Sequence, residues 1–133
     1  MAARARPTWG YLLLGSQLGG SDGPHYCKSW NFGPSSSGNK SVGEVVQDII
    51  RLWGSGEVIV ERDANAPHED QRLLLNCDRA NQYLHWNPTW NYPDSITETV
   101  TWYRLHEEGA DIATVTDSQI EKYCKAWKAA GRD

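Results

Sequence analysis

The strongest hydrophobic pattern in the chain runs from residue 41 to residue 54, with the sequence SVGEVVQDIIRLWG. Ser41 and Glu44 have the spacing of a capping box, in which each side chain satisfies a backbone N–H at the start of a helix. Gly54 suits the C-terminal end, since glycine tolerates the left-handed conformation common there. Six apolar residues between them share one helical face: Val42, Val45, Val46, Ile49, Ile50 and Trp53. The pattern predicts a helix that buries this whole face.

Two more helices are predicted in the C-terminal third of the chain. Ser95-x-x-Glu98 has the capping-box spacing and opens a segment with Ile96, Val100 and Tyr103 on one side. Thr116-x-x-Gln119 has the same spacing and is followed by an aligned apolar set: Ile120, Tyr123, Cys124 and Trp127. Each box therefore predicts the start of a helix.

Two short helices complete the helical set. Residues 9–18 are mostly apolar and are followed by a loop at residues 19–24, where glycine and proline dominate. Asn76 or Asp78 can cap another helix that runs through Leu84. The sequence thus predicts about five helices.

Three short segments favour strands. Residues 30–32 form an aromatic stretch that stops at Gly33, residues 57–61 read EVIVE, and residues 72–76 surround three leucines. Together with the helices they predict an α+β fold, a small and mostly helical lobe with two or three short strands. At 133 residues the chain fits a single domain over residues 1–133.

Composition and charge exclude two classes of partner. The net charge is −4 and no block of Lys or Arg is present, so no electrostatic footprint for nucleic acid exists. No apolar run approaches the roughly 20 residues of a membrane span, and the basic start is followed by an apolar stretch too short for a secretory core. We therefore expect no nucleic-acid partner and no membrane span. A cytoplasmic protein is the expected class.

The chemistry-bearing residues do not form a familiar metal or catalytic motif. Cys27, Cys77 and Cys124 are widely spaced, which favours reduced thiols, with Cys77 and Cys124 as buried fillers. Consecutive side chains diverge, so residues 68–70 (HED) do not suit one metal ion. Residues 19–23 (GGSDG) match the letters of G-x-S-x-G, but no strand precedes them as in a nucleophile elbow, so they indicate a plain turn. No G-x-G-x-x-G or G-x-x-x-x-G-K-[ST] sequence occurs. Neither a metal nor a cofactor is therefore expected.

The segment NAPHEDQRLLLNC, residues 65–77, suits a ligand-binding loop that leads into a buried strand. A carboxylate at the end of such a strand can accept hydrogen bonds from two sugar hydroxyls, and Glu69 is the candidate. An arginine can form a fork with phosphate, and Arg72 and Arg6 are the candidates. A solvated surface role for these arginines is the alternative.

An ordered series of motifs from Arg6 to about Trp127 resembles the C-terminal part of the CDP-glucose 4,6-dehydratases, a family of extended short-chain dehydrogenases/reductases. The motifs are RP (6–7), GYLLL (10–14), WNFGP (30–34), SVGEVVQDIIRLWG (41–54), PHED (67–70), LLLNCDRANQYLHWNPTW (73–90) and TVTWYRL (99–105). The resemblance implies the substrate lobe that closes over a nucleotide sugar, without the Rossmann domain that holds NAD. The Tyr-x-x-x-Lys pair of that domain is also missing, so the resemblance implies a truncated homologue that is catalytically incomplete alone.

The resemblance also implies site residues. Arg6 matches an arginine near the phosphates, and Glu69 matches the acidic residue that follows His68 in the loop facing the ribose. Related sugar-nucleotide enzymes have an arginine where this chain has Asn65. The family continues after Arg6 through one or two helical turns that this chain lacks before Gly10. With Arg72, the predicted substrate-binding residues are Arg6, Asn65, His68, Glu69 and Arg72.

Three functional classes remain open from the sequence. The first is a binding module for CDP-hexoses or related nucleotides. The second is an interaction or assembly protein that forms a homo-oligomer or pairs with a separate Rossmann-domain chain, with no ligand binding retained. The third is an enzyme of another kind built on His68, Glu69 and Asp70.

Overall fold

The computed structural model describes residues 2–35, 38–60 and 75–131, with side chains from residue 8 onward, and these ranges contain six α-helices. Their bounds are α1 Ala2–Leu18, α2 Gly23–Tyr26, α3 Val42–Trp53, α4 Asp78–Leu84, α5 Tyr92–Glu107 and α6 Ile112–Ala129. α5 lies at the centre, where it packs against α1, α3 and α6, and α1 also contacts α2 and α4. None of the helices in the described ranges is both long and apolar enough to cross a membrane.

The predicted α+β class is wrong, because the described residues form helices and no strand. Residues 30–32 are held by side chains instead of a backbone ladder. The Trp30 Nε1–H donates to the Tyr26 carbonyl (2.9 Å), and the two rings stack with centroids 6.1 Å apart. Val58 and Ile59 are exposed, and within residues 2–35, 38–60 and 75–131 no strand pairs with them. The remaining predicted strand residues, 61 and 72–74, lie outside the described ranges.

The capping box at the start of α3 is confirmed. The Glu44 N–H donates to Ser41 Oγ (3.3 Å), and the Ser41 N–H donates to Glu44 Oε2 (2.9 Å). The hydrogen bond from the Ser41 N–H, followed by that from the Lys40 ammonium, holds the pKa of the Glu44 carboxyl at about 2. The prediction that α3 buries a whole face is wrong, since Val42 is 81% exposed. One side of α3 packs on α5, and none of its apolar residues is fully buried.

The other two predicted boxes do not start helices. α5 begins earlier, where Asn91 Oδ1 accepts from the Asp94 N–H (2.9 Å), and Pro93 is compatible with a first helical turn. α6 begins at Asp111, whose carboxylate accepts from the Ala113 N–H (3.1 Å). The hydrogen bond from Thr114 Oγ1, followed by that from the Ala113 N–H, lowers the pKa of Asp111.

The boxed residues instead join α5 to α6. Gln119 Nε2 donates to the Glu98 carbonyl oxygen (2.7 Å) and to Glu98 Oε2 (3.2 Å). Lys122 forms an ion pair with the same Glu98 carboxylate. The polar residues that resembled caps therefore serve as contacts between helices.

A second polar link joins α3 to the start of α5. The Tyr92 hydroxyl donates to Asp48 Oδ2 (3.1 Å), and Arg51 donates to Asp48 Oδ1 (2.7 Å). The hydrogen bond from Arg51, followed by that from Tyr92, lowers the pKa of Asp48. Burial, together with the bond to Asp48, raises the pKa of Tyr92. This link fixes α3 on α5 at the edge of the domain.

The core is built mainly from aromatic side chains in two adjoining clusters. The first contains Phe32, Ala80, Leu84, Trp86 and Trp127, and the second contains Trp90 and Tyr123. Trp9 packs against both, with its ring 5.2 Å from that of Trp127 and 6.3 Å from that of Tyr123. α1 therefore closes the core. α1 begins at Ala2, earlier than the start predicted at residue 9.

Candidate functional site

The predicted substrate-binding residues lie beyond what the structure describes. Asn65, His68, Glu69 and Arg72 fall within residues 61–74, outside the described ranges. Arg6 belongs to α1, and its side chain precedes the first described one. Their convergence on one ligand therefore stays a prediction.

The structure does describe where the chain returns from this segment. Residues 75–79 lie against residues 29–33, and we call these two stretches together the loop anchor. Asn31 Nδ2 donates to the Asn76 carbonyl (3.1 Å), which joins the two stretches side chain to backbone. Arg79 Nη1 donates to the Ser29 carbonyl (2.7 Å) and joins them a second time. The anchor fixes the C-terminal end of the predicted ligand loop.

Cys77 supplies the third contact of the loop anchor. Its Sγ accepts from the Gly33 N–H (3.1 Å) and donates to the Leu75 carbonyl (3.6 Å). A Cβ at Gly33 would lie 3.2 Å from Leu75 Cβ and 3.4 Å from Cys77 Sγ, so the close approach favours glycine. Cys77 is half-buried and packs against the first aromatic cluster. The thiol acts as a hydrogen-bonding filler.

The other two cysteines differ in exposure. Cys124 is half-buried, as expected for a packing residue, whereas Cys27 is exposed. All three thiols are free.

A turn at residues 76–78 directs the chain from the loop into α4. The Asp78 N–H donates to Asn76 Oδ1 (2.9 Å), and Asn76 Nδ2 donates to Asp78 Oδ2 (3.0 Å). An Asn side chain that binds the backbone two residues ahead forms such a turn by itself. Asn76 thus acts just before the helix. The N-cap residue of α4 is Cys77, which makes no side-chain cap, so the prediction that Asn76 or Asp78 caps this helix is wrong.

The loop anchor positions the chain, and its one thiol, that of Cys77, is engaged in hydrogen bonds to the backbone. In the described ranges no three His, Cys, Asp or Glu side chains come together as a metal site. Asn31 and Arg79 were missed by sequence reasoning, because their partners lie 45 and 50 positions away. Asn31 is an exposed polar residue between Trp30 and Phe32, so the local sequence carried no signal for its contact.

Comparison with known proteins gives one informative relative. No protein-family model matches the chain. CDP-glucose 4,6-dehydratase of Salmonella typhimurium is 30% identical over 120 residues, which cover 90% of this chain and 33% of that enzyme. The chain is therefore homologous to part of CDP-glucose 4,6-dehydratase and spans about a third of its length, as a C-terminal fragment would. The resemblance inferred from the ordered motifs is confirmed.

Proposed function

We propose that this chain is a nucleotide-sugar-binding lobe that recognises CDP-hexoses. The observation that carries the proposal is the homology to CDP-glucose 4,6-dehydratase over 90% of the chain. Because the relative's name specifies CDP-glucose, CDP and CDP-glucose are the first ligands to test.

The loop at residues 61–74 is proposed to make the ligand contacts. Glu69 accepts hydrogen bonds from the ribose hydroxyls, and Arg72 forms a fork with the diphosphate. Arg6, Asn65 and His68 complete the proposed site. The loop anchor supports this assignment, since it holds residue 75, directly after the loop, through bonds that do not use the loop itself.

The proposal assigns no redox step to this chain. The sequence has no G-x-G-x-x-G loop, and no tyrosine has a lysine four positions later, so its residues do not fit a nicotinamide dinucleotide. A separate Rossmann-domain chain is the proposed source of the hydride chemistry. A cytoplasmic location is part of the proposal, because three free thiols persist in a reducing compartment.

Isothermal titration with CDP-glucose and with CDP tests the binding site directly. We expect saturable binding of both ligands, with a dissociation constant below ~1 mM. Arg72→Ala should weaken binding about tenfold or more, because a charge-assisted hydrogen bond contributes roughly 1.5–3 kcal/mol. Glu69→Gln should weaken binding of CDP, which contains the ribose. It should weaken binding of inorganic pyrophosphate, which has no ribose, much less.

Two matched variants control for loss of charge. Lys125→Ala removes a cation and Glu121→Gln removes an anion on the exposed side of α6, where the two residues pair only with each other in the described structure. Both should bind CDP-glucose as the unmodified chain does. Absence of heat with millimolar CDP-glucose, or equal weakening by Lys125→Ala and Arg72→Ala, contradicts the proposed site.

A further inference from the structure

The loop anchor fixes one end of the proposed ligand loop to the buried core. Phe32 lies within the first stretch of the anchor and Ala80 directly follows the second, and both belong to the first aromatic cluster. On the other side of the loop, residues 58–60 are exposed. The described residues therefore hold the loop mainly from its C-terminal end.

Two exposed side chains of the anchor, those of Arg79 and Asn31, join its stretches through bonds made within the described residues. Arg79 Nη1 donates to the Ser29 carbonyl (2.7 Å), and Asn31 Nδ2 donates to the Asn76 carbonyl (3.1 Å). We propose that both are positioning residues, which strengthen ligand binding by restricting where Arg72 can lie. This inference rests on the function proposed above.

The covalent chain limits how far the effect of the anchor extends. Arg72 lies three residues before Leu75, the first residue of the second stretch, so their Cα atoms are at most about 11 Å apart. Glu69 lies six residues before Leu75, and the corresponding limit is about 22 Å. Among the proposed ligand residues in the loop, the anchor therefore restricts Arg72 most.

Restriction before binding favours affinity, because less conformational freedom is lost when the ligand arrives. The ordering of a loop or of a long side chain on binding costs part of the affinity, and a group that is already restricted avoids that cost. An arginine also needs a defined orientation to form a fork with a diphosphate. Loss of one anchor hydrogen bond should therefore raise the dissociation constant for CDP roughly threefold to tenfold.

The positioning role of Arg79 differs from direct phosphate binding in the number of donors it requires. The bond to the Ser29 carbonyl uses a single N–H group. A lysine can supply one donor to that carbonyl, whereas it cannot form the planar fork. Arg79→Lys should therefore retain most of the affinity that Arg79→Ala loses. Asn31 has no charge, so weaker binding by Asn31→Ala cannot come from a lost attraction to phosphate.

Double-mutant cycles with Arg72 test whether the anchor acts through that residue. NMR titration of the chain with CDP, up to ~50 mM, keeps the weakest variant measurable. Arg79→Ala and Asn31→Ala should each raise the dissociation constant about threefold to tenfold in the unmodified chain. In the Arg72→Ala background the same substitutions should raise it by less than about twofold, whereas direct ligand contacts would give equal factors in both backgrounds.

Arg104→Ala is the matched control. Arg104 Nη1 also donates to a distant backbone carbonyl, that of Leu52 (3.4 Å), and the side chain forms an exposed ion pair with Glu108. The variant removes the same charge and the same kind of bond at a contact between α5 and the end of α3. It should bind CDP as the unmodified chain does, and urea unfolding should show that it is no more stable than Arg79→Ala.

The outcomes separate this inference from the proposed function. Unchanged CDP binding by Arg79→Ala and Asn31→Ala, equal factors in the two Arg72 backgrounds, or failure of Arg79→Lys to retain affinity overturns the positioning role. In each of these cases Arg72→Ala still weakens binding, so the proposed ligand site stands. If Arg72→Ala also binds CDP as the unmodified chain does, or if the unmodified chain does not bind CDP, the proposed site is wrong and the positioning role with it.

Discussion

Substituting Gly10 by alanine tests how closely α1 approaches the aromatic core. A Cβ at Gly10 would lie 2.4 Å from Phe32 Cδ1, 2.6 Å from Cε1 and 2.8 Å from Cγ. Carbon atoms in contact normally lie about 3.5–4.0 Å apart, so the ring would have to move by about 1 Å. Phe32 is buried, and its other side meets the Trp86 ring at a centroid distance of 5.1 Å. The ring therefore has little room to retreat.

The expected destabilisation follows from two opposing effects. Overpacking of a tight core costs about 1–3 kcal/mol. Alanine in a helix interior gains about 0.5–1 kcal/mol over glycine. The core penalty is larger, so Gly10→Ala should lower the free energy of unfolding by about 1–2 kcal/mol. Gly15→Ala, in the same helix but over open space, should raise it by about 0.5–1 kcal/mol.

Urea unfolding followed by circular dichroism measures the difference between the two variants. The two free energies of unfolding should differ by roughly 1.5–3 kcal/mol. The corresponding difference in Tm is roughly 10 °C for a chain of this size. Equal stability of Gly10→Ala and Gly15→Ala would refute the close approach of α1 to Phe32.

Three further predictions concern helix ends. Ser41→Ala removes the acceptor of the Glu44 N–H and should cost about 1 kcal/mol in urea unfolding; an unchanged midpoint would contradict the role of the capping box. His85 ends α4 with φ 49°, a left-handed conformation that favours glycine, so His85→Gly should raise stability by about 0.5–1 kcal/mol, and a loss would refute that strain. Because the pKa of Glu44 is lowered from 4.5 to about 2, the stabilisation from its ionised form is present above pH 4.5 and lost as the pH falls toward 2. An acid titration of helical content should therefore be shallower in Glu44→Gln, and superimposable titrations would argue against it.

The helix starts show which sequence signals were sufficient. The capping box of Ser41 and Glu44 forms within four consecutive residues, so the local sequence was sufficient to predict it. Ser95-x-x-Glu98 has the same spacing but lies inside α5, because Asn91 caps the helix one turn earlier. Glu98 is then used by Gln119 of α6, a contact over 21 positions that spacing cannot reveal. Capping patterns were thus reliable only where no tertiary contact competed for the same side chain.

The error in fold class has a related cause. Aromatic and β-branched residues at 30–32 and 57–60 favour strands only when neighbouring strands can pair with them. Here the Trp30 indole donates to the Tyr26 carbonyl, and the Asn31 amide donates to the Asn76 carbonyl. These side-chain hydrogen bonds hold residues 30–32 in place without backbone pairing to another strand. The candidate site was predicted from residues 65–72 and from the resemblance. Its anchor escaped prediction, because Asn31 and Arg79 act through partners distant in the sequence.

Phe32 connects the packing of α1 with the loop anchor. Its ring accepts the close approach of α1 at Gly10 and orders the exposed Tyr11 ring. Its chain neighbours, Asn31 and Gly33, hold the loop anchor through Asn76 and Cys77. A substitution that displaces Phe32 would therefore disturb folding and the loop anchor together, and a loss of ligand binding in such a variant would not identify a binding residue. Arg72 is 40 positions from Phe32 in the sequence, so a variant at this position addresses the ligand loop without changing this ring.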